Sequence, residues 1–319
     1  MLLGLAIAIL TSLVAGAALW PPSARVESHP RPAVDYQDAL ARVEAMRAAE
    51  GDEVSPVCRT LLLTHGHRTA RVVLFFHGLT NCPDQFRALA ERLFARGDNV
   101  YVPRIPHHGL ANRMTTDLKR TRAEELAEFA DRQVDIARGL GERVIVSGLS
   151  LGATQAAWVA QERSDVDLAA PIAPMLGVAM APGVASTALA NLWVRIPNQF
   201  MWWDPKKREA LAGPNQVYPR FSTRAVAEVI RLGWAVRHRA REKPPAARRI
   251  LAISVGGDIA VDNRATVDLV REWRRRGGER VSTYQFADSL RLGHDLIDPR
   301  QPYQRIDVVY PILEQLLGT

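Results

Sequence analysis

Short apolar runs alternate with amphipathic segments along most of the chain, and this alternation predicts strands separated by helices. The run ARVVLFFH at 70–77 is apolar on both faces, as expected of a central strand that is covered on both sides. The predicted strands are 59–64, 70–77, 99–105, 143–147, 166–172, 249–255 and 281–287, and the predicted helices are 35–49, 83–96, 115–140, 150–162, 267–276 and 306–317. The fold class is therefore predicted as α/β, with a mostly parallel, doubly wound sheet and right-handed crossovers.

The alternation stops in one long segment. Residues 174–245 contain several prolines and helix-like pieces with no strand between them, together with Trp193, Trp202, Trp203 and Trp234. Roughly 70 residues exceed what a crossover needs, so this segment is interpreted as an inserted helical cap. The alternative is a long crossover that packs on the sheet.

The first 20 residues carry only Thr11 and Ser12 as polar side chains, and a helix of that length spans about 30 Å of hydrocarbon. Residues 1–20 are therefore predicted to be a signal peptide or an N-terminal membrane anchor, although no Lys or Arg precedes the apolar run as in a usual signal peptide. The proline-rich stretch 21–34 predicts a linker, and 35–319 the folded domain.

Composition and charge narrow the function classes. The 319 residues are 47% hydrophobic and 24% charged, which is ordinary for a globular domain. The net charge of +7 comes from arginines spread along the chain without interleaved aromatic residues, so no nucleic-acid partner is predicted. His65, His67 and His238 have no partners at metal-ligand spacing, and we expect neither a metal nor another cofactor.

A glycine-rich turn follows the fourth predicted strand. The stretch RVIVSGLSLG at 143–152 ends in a G-x-S-x-G sequence centred on Ser150, and a helix-forming segment follows. Strand, sharp turn and helix are the setting in which such a serine is held in a strained conformation as a nucleophile. The alternative is that Ser150 merely caps the following helix.

Two further side chains fall at the same edge of the predicted sheet. Asp258 follows the strand that ends at 255, and His294 lies in the loop after the last strand. Catalytic groups of open α/β sheets collect at the carboxyl ends of the strands. The chain order Ser150, Asp258, His294 predicts a nucleophile, an acid and a base. Asp262 and Asp295 compete with Asp258, and His77 competes with His294.

The chain has two cysteines, Cys58 and Cys82, each just outside a predicted strand. An even number of cysteines behind an export signal predicts one disulfide between them. The alternative is two buried thiols in a cytosolic protein.

Five motifs in order give these residues a family context: HGLTNCP at 77–83, VPRIPHHG at 102–109, GLSLG at 148–152, GGDIAVD at 256–262 and GHDLIDP at 293–299. Over residues 55–317 the chain resembles an α/β-hydrolase of the exported esterase and lysophospholipase-like kind, near the serine aminopeptidase-like branch. The resemblance assigns 35–319 to an α/β-hydrolase domain, favours Asp258 over Asp262, and gives His77 a structural role. It also implies that the backbone N–H groups of Leu79 and Leu151 form the oxyanion hole.

The expected function is cleavage of carboxylic esters by an exported serine hydrolase, on a small-molecule substrate that includes lipid-like esters. That enzyme is periplasmic, extracellular or attached to the membrane through residues 1–20. Two alternatives stay open. One is an aminopeptidase-like amide hydrolase, for which the cap offers Asp204, Glu209, Glu228 and Glu242 as an acidic subsite. The other is a non-catalytic, envelope-associated binding module on the same fold.

Overall fold

A computed structural model describes residues 16, 26–211 and 213–318. The helices are α1 Tyr36–Ala48, α2 Arg87–Phe94, α3 Ala123–Leu140, α4 Leu151–Glu162, α5 Val184–Trp193, α6 Thr223–Glu242, α7 Asn263–Gly277 and α8 Ile306–Gly318. The strands are β1 Leu61–Leu63, β2 Thr69–Phe76, β3 Asn99–Val102, β4 Gly141–Leu149, β5 Leu168–Ile172, β6 Phe200–Trp202, β7 Arg220–Ser222, β8 Ile250–Val255 and β9 Val281–Phe286. The prediction of a leader at 1–20 falls almost wholly outside the described residues. Within them, no helix has both the length and the apolarity to cross a membrane.

Seven strands form the central sheet in the order β1-β3-β2-β4-β5-β8-β9. Only β1 runs antiparallel, against β3, and the other neighbouring pairs are parallel. Helices flank this sheet, so the strands β2, β4 and β5 in its middle are almost entirely buried. The predicted α/β class with a mostly parallel sheet is confirmed.

Parallel pairing brings the ends of several strands to one edge. Phe76 of β2 lies opposite Gly148 of β4, and Leu149 lies opposite Ile172 of β5. β8 and β9 are in register through Val255 and Phe286. The loops that carry Leu79, Ser150, Asp258 and His294 all leave the sheet on this carboxyl side.

Two predicted helices start later than the apolar pattern indicated. The helix expected over 115–140 begins at Ala123, after a separate 3₁₀ turn at Asp117–Arg120. Glu228 of α6 accepts a hydrogen bond from the Ala123 N–H at 3.2 Å, so a side chain from another helix satisfies the new helix start. The helix expected over 83–96 is likewise divided into a 3₁₀ turn, Pro83–Phe86, and α2.

The long segment between β5 and β8 contains more than helices. It includes the short antiparallel pair β6 and β7, which the sequence pattern did not predict. The last helix of the segment, α6, packs on α3 and α4 beside the sheet. We therefore propose that the cap comprises residues 174–222, and we call these residues the insertion; α6 serves as the crossover helix.

Residues 26–34, within the predicted linker, lie against the domain. Val26 is buried, and its carbonyl accepts a hydrogen bond from Arg239 of α6. The N–H of Ala33 donates to the Asp135 carbonyl of α3 at 2.9 Å. These contacts, which no local pattern reveals, hold this stretch on the helical layer.

Cys58 and Cys82 form a disulfide, which confirms that prediction. The bridge joins the turn before β1 to the loop after β2, with the two Cα atoms 5.2 Å apart. Both residues are fully buried in a small apolar cluster with Val54 and Leu110. The bridge therefore fixes the loop that follows Leu79.

Replacing both cysteines with serine is expected to lower the melting temperature without abolishing folding. The bridge spans a sequence separation of 24 residues. Closing a loop of this size stabilises a protein by about 3 kcal/mol in the chain-entropy argument. Thermal unfolding with and without dithiothreitol checks this: reductant should lower the melting temperature of the wild type and leave the double variant unchanged. A wild type that is indifferent to reduction would contradict it.

Candidate active site

Ser150 sits on a tight elbow between β4 and α4. Its backbone has φ 59° and ψ −111°, a left-handed conformation that costs a non-glycine residue about 1–3 kcal/mol. Two glycines make the elbow possible. A Cβ on Gly148 would lie 2.6 Å from the Gly152 carbonyl carbon, and one on Gly152 would collide with the Phe76 carbonyl. Only hydrogen fits at these positions, because the start of α4 lies against Gly148 and against the end of the neighbouring strand β2.

The backbone around Ser150 is held by hydrogen bonds. Its N–H donates to the Ile172 carbonyl at 3.1 Å, and its own carbonyl accepts from the N–H groups of Thr154 and Met175 at 3.0 and 3.1 Å. The Ser150 side chain makes no capping hydrogen bond to α4. The alternative that the Ser150 hydroxyl caps this helix is thus wrong.

Asp258 and His294 lie together although 36 residues separate them. His294 Nδ1 and Asp258 Oδ2 are 2.7 Å apart. Asp258 Oδ1 accepts the N–H groups of Ala260 and Val261 at 2.8 and 3.3 Å, so both carboxylate oxygens are engaged. Burial raises the pKa of this carboxyl, but the hydrogen bonds from His294 and the backbone outweigh burial and hold the pKa below its ordinary value.

The ionised Asp258 fixes the state of the imidazole. A carboxylate only accepts hydrogen bonds, so the shared proton belongs to His294 Nδ1. In the neutral imidazole Nε2 is then the unprotonated nitrogen. Among the described residues no hydrogen bond joins Ser150 Oγ to this imidazole in the present conformation.

The two competing carboxylates have other partners. Asp262 is the N-cap of α7: its Oδ1 accepts the Arg264 N–H at 3.0 Å, and its Oδ2 accepts the Gly183 N–H of the insertion at 2.8 Å. Asp295 points away from its neighbour His294. Its Oδ2 accepts from Asn81 Nδ2 at 3.2 Å and from Gln301 Nε2 at 2.9 Å. Of the three carboxylates considered, only Asp258 pairs with the imidazole.

The two N–H groups predicted for the oxyanion hole lie at the start of α4 and in the loop after β2. Leu151 is the first residue of α4, where a helix N–H has no acceptor within the helix. Leu79 occupies a turn in which the Asn81 N–H donates to the Gly78 carbonyl at 3.1 Å. The preceding Gly78 N–H donates to Gln85 Oε1 at 2.8 Å. Gln85 thus supports the loop, and no sequence motif signalled it.

His77 has a structural environment. Its Nδ1 lies 3.1 Å from the Gly78 carbonyl and its Nε2 accepts the Ile105 N–H at 3.1 Å, so both ring nitrogens are engaged. The ring is fully buried edge-on against His108, and burial followed by the charge of His108 holds the pKa of His77 well below 6.5. No group of His, Cys, Asp or Glu in the described ranges is arranged to hold a metal ion.

His108 is expected to make the fold sensitive to acid. Burial lowers the pKa of His108 from 6.5 to about 4. An unfolded chain takes up this proton below about pH 6.5, whereas the folded chain does so only near pH 4, so stability is lost across that window by about 3 kcal/mol. The melting temperature of His108→Asn should therefore fall less between pH 7.5 and 4.5 than that of the wild type. Equal falls would contradict this assignment.

The insertion contacts the loops on both sides of the site, which the sequence did not reveal. Asp298 is buried and follows His294 by four residues, and its carboxylate accepts a hydrogen bond from Gln216 Nε2 at 2.8 Å. Tyr218 N–H donates to the Thr80 carbonyl at 2.8 Å. Trp203 Nε1 donates to Thr80 Oγ1 at 3.0 Å. The residues of these three pairs are 82, 138 and 123 positions apart in the sequence, respectively. Local sequence patterns do not extend over such distances.

Known proteins resemble the chain in sequence and in fold. Residues 67–287 match the family described as serine aminopeptidase, S33. A thermostable monoacylglycerol lipase from Bacillus sp. (strain H-257) is 31% identical over 106 residues, which cover 31% of this chain and 39% of that relative. The chain thus matches well under half of that relative's length.

Two solved structures share the architecture at low identity. The monoacylglycerol lipase of Paleococcus ferrophilus superposes with a TM-score of 0.60 at 17% identity, covering 81% of this chain and 97% of the other. A soluble variant of the monoglyceride lipase of Saccharomyces cerevisiae gives 0.54 at 14% identity, covering 81% and 90%. These likenesses concern the fold, whereas the family match concerns the sequence. Because that match extends over more than half of the chain, the protein belongs to the serine aminopeptidase S33 family, with the fold of the α/β-hydrolases.

Proposed function

We propose that this protein is a serine hydrolase that cleaves carboxylic esters. Ser150 is the nucleophile, His294 the general base and Asp258 the group that orients the base. The observation that carries the proposal is the 2.7 Å pair between His294 Nδ1 and the buried Asp258 carboxylate, at the same sheet edge as the strained Ser150 elbow.

The proposed reaction has two steps. Unprotonated Nε2 of His294 takes the Ser150 proton as Oγ attacks the ester carbonyl, and Asp258 stabilises the imidazolium that forms. The same proton then goes to the leaving alcohol, and an acyl-enzyme remains. Water activated by His294 releases the acid. Hydrogen bonds between nucleophile and base are often absent before substrate binds, so rotation of the Ser150 side chain toward His294 belongs to the first step.

Negative charge develops on the carbonyl oxygen during each attack. The N–H groups of Leu79 and Leu151 are the proposed donors to this oxyanion. The position of Leu151 at the helix start supports this role, because the helix dipole adds a partial positive charge there.

The substrate is proposed to be an ester with an apolar acyl group, such as a monoacylglycerol. Support comes from the relative named as a monoacylglycerol lipase and from the surface of the insertion. Large apolar side chains are exposed on the insertion and on the loop of Asp258: Met180, Val184, Trp203 and Ile259. Residues 168–194 contain no charged side chain. An apolar wall of this kind suits an acyl chain.

An amide hydrolase acting on substrates with a free amine is the second candidate, favoured by the family description. Such an enzyme needs an uncompensated acidic group for the amine. Glu228, the buried acid among the four candidates, forms ion pairs with Arg224 and Arg231. Asp204 caps a 3₁₀ turn and lies 3.6 Å from Lys207 Nζ. These pairings support the ester substrate.

A substrate panel tests the proposal: p-nitrophenyl acetate, p-nitrophenyl dodecanoate, monooleoylglycerol, a lysophospholipid and leucine p-nitroanilide. The proposal expects turnover of esters and little of the amide, whereas preference for the amide would replace it with the second candidate. Labelling with a fluorophosphonate separates both from a non-catalytic binding module, because it requires an activated serine. Folded protein that neither turns over esters nor becomes labelled would overturn the catalytic assignment.

The disulfide supports an oxidising location for this activity, outside a reducing cytosol. Export, whether with cleavage of residues 1–20 or with retention of these residues as an anchor, is therefore part of the proposal. Mass spectrometry of the intact protein from its native host distinguishes these two forms by the mass of the N-terminal segment.

A further inference from the structure

The turn that carries Leu79 is held in an unfavourable backbone conformation. It spans residues 78–81, closed by the 3.1 Å hydrogen bond from the Asn81 N–H to the Gly78 carbonyl. Thr80 is its third residue and has φ 67°. A positive φ at this position is typical of a type II turn, where glycine or asparagine is preferred. For a β-branched residue this conformation is a genuine outlier.

Two hydrogen bonds from the insertion hold Thr80 in place. Tyr218 N–H donates to the Thr80 carbonyl at 2.8 Å, and Trp203 Nε1 donates to Thr80 Oγ1 at 3.0 Å. Thr80 itself is only 3% exposed, so water does not readily replace either donor. The strained residue is therefore bonded to the insertion through both its main chain and its side chain.

Trp203 is less firmly enclosed than the residue it holds. Its side chain is 46% exposed, and its ring lies against Phe221 of β7 with centroids 4.5 Å apart. The backbone N–H of Trp203 donates to the Pro219 carbonyl at 3.1 Å. Through these contacts with Phe221 and Pro219, the place of the Trp203 indole depends on the β6–β7 pair.

We propose that Trp203 is a positioning residue that couples the insertion to the oxyanion hole: its indole N–H holds Thr80 in the left-handed conformation and thereby sets the Leu79 N–H. This inference rests on the proposed function of Leu79. Because oxyanion stabilisation depends strongly on donor placement, the coupling makes the chemical step efficient only when the insertion is seated on the turn.

The test is Trp203→Phe, which removes the indole N–H and keeps a smaller aromatic ring at this position. We expect kcat for p-nitrophenyl acetate to fall about tenfold, because a displaced oxyanion donor stabilises the transition state less while substrate binding changes little. KM should change less than twofold, since this small ester has no long acyl chain to contact the insertion. Trp202→Phe, which changes the neighbouring tryptophan instead, is the matched control and should leave kcat within twofold of wild type.

Combining Trp203→Phe with substitutions of Thr80 distinguishes a role in positioning the turn from a role as a mere apolar surface beside the substrate. Glycine adopts a positive φ freely, so in Thr80→Gly the turn no longer depends on the indole. Adding Trp203→Phe to Thr80→Gly should then lower kcat less than twofold. In a second cycle, Thr80→Val removes the acceptor, so adding Trp203→Phe should again have little further effect. Thr80→Ser keeps the hydroxyl and should retain the dependence on Trp203.

The kcat values of these variants support or overturn the positioning role of Trp203. A tenfold kcat loss confined to backgrounds with a hydroxyl at position 80, measured well below the melting temperature of every variant, supports it. Equal losses in all backgrounds, a rise in KM alone, or no loss in any background would overturn it while leaving the ester hydrolase in place. A wild type that neither turns over p-nitrophenyl acetate nor reacts at Ser150 with fluorophosphonate would overturn the proposed function and this inference together.

Discussion

Replacing Ser150 with alanine is expected to lower kcat for p-nitrophenyl esters by about 10⁴- to 10⁶-fold, because no other group replaces the nucleophile. Folding should be unaffected, since the elbow is held by backbone hydrogen bonds to Ile172, Thr154 and Met175 and alanine is smaller than serine. Steady-state kinetics and thermal unfolding on the same preparation check both parts.

A matched control for this variant lies three residues earlier, within β4. Ser147 is equally buried, and its hydroxyl donates to the Ala170 carbonyl at 2.7 Å. Ser147→Ala should cost about 1 kcal/mol of stability and change kcat by less than twofold. Undiminished ester hydrolysis by Ser150→Ala would remove the proposed mechanism.

Replacing Asp258 with asparagine is expected to lower kcat by about ten-thousandfold. Asparagine keeps the size of the side chain but cannot stabilise an imidazolium, and its amide can donate to Nδ1 and favour the wrong tautomer of His294. The pH dependence follows the sign of the shift: because the pKa of Asp258 is held below its ordinary value of 3.8, its carboxylate stays charged at all pH values above that. Titration of Asp258 itself should therefore contribute nothing to the pH dependence of kcat between pH 6 and pH 8 in the wild type.

Two neighbouring carboxylates provide the controls. Asp262→Asn keeps an acceptor for the Arg264 N–H at the start of α7 but loses the acceptor for the Gly183 N–H, for which we expect about 1 kcal/mol of lost stability and little change in kcat. Asp295→Asn affects the contact with Asn81 and should lower kcat far less than Asp258→Asn. An Asp262 or Asp295 variant with a larger kcat loss than Asp258→Asn would reassign the acid.

Features encoded by consecutive residues were predictable from the sequence. The apolar run at 70–77 is β2 almost residue for residue, since a strand buried on both faces needs apolar side chains at every position. The Ser150 elbow was predictable for a similar reason. Its two glycines, at 148 and 152, flank Ser150 in the sequence, although the carbonyl that crowds residue 152 belongs to Phe76 of β2.

Chain order and the family resemblance supplied the remaining candidates, Asp258 and His294. The sequence placed both at the carboxyl edge of the sheet, because loops after parallel strands share that edge. It disfavoured Asp295, because successive side chains of an extended loop diverge, but it did not distinguish Asp258 from Asp262 by physics alone. In the structure, backbone N–H groups and side chains of other loops occupy the oxygens of Asp262 and Asp295. Asp258 uses one oxygen for backbone N–H groups and keeps the other for the imidazole.

The sequence by itself determined the strands of the central sheet, the elbow and the identity of the groups available for chemistry, because the signal for each lies in a few consecutive residues. Only the tertiary structure decided how those groups are held. The bonds from Gln216 to Asp298 and from Trp203 to Thr80 join residues 82 and 123 positions apart. Local spacing cannot encode such pairs, since they form only after the insertion has packed over the loops that carry His294 and Leu79.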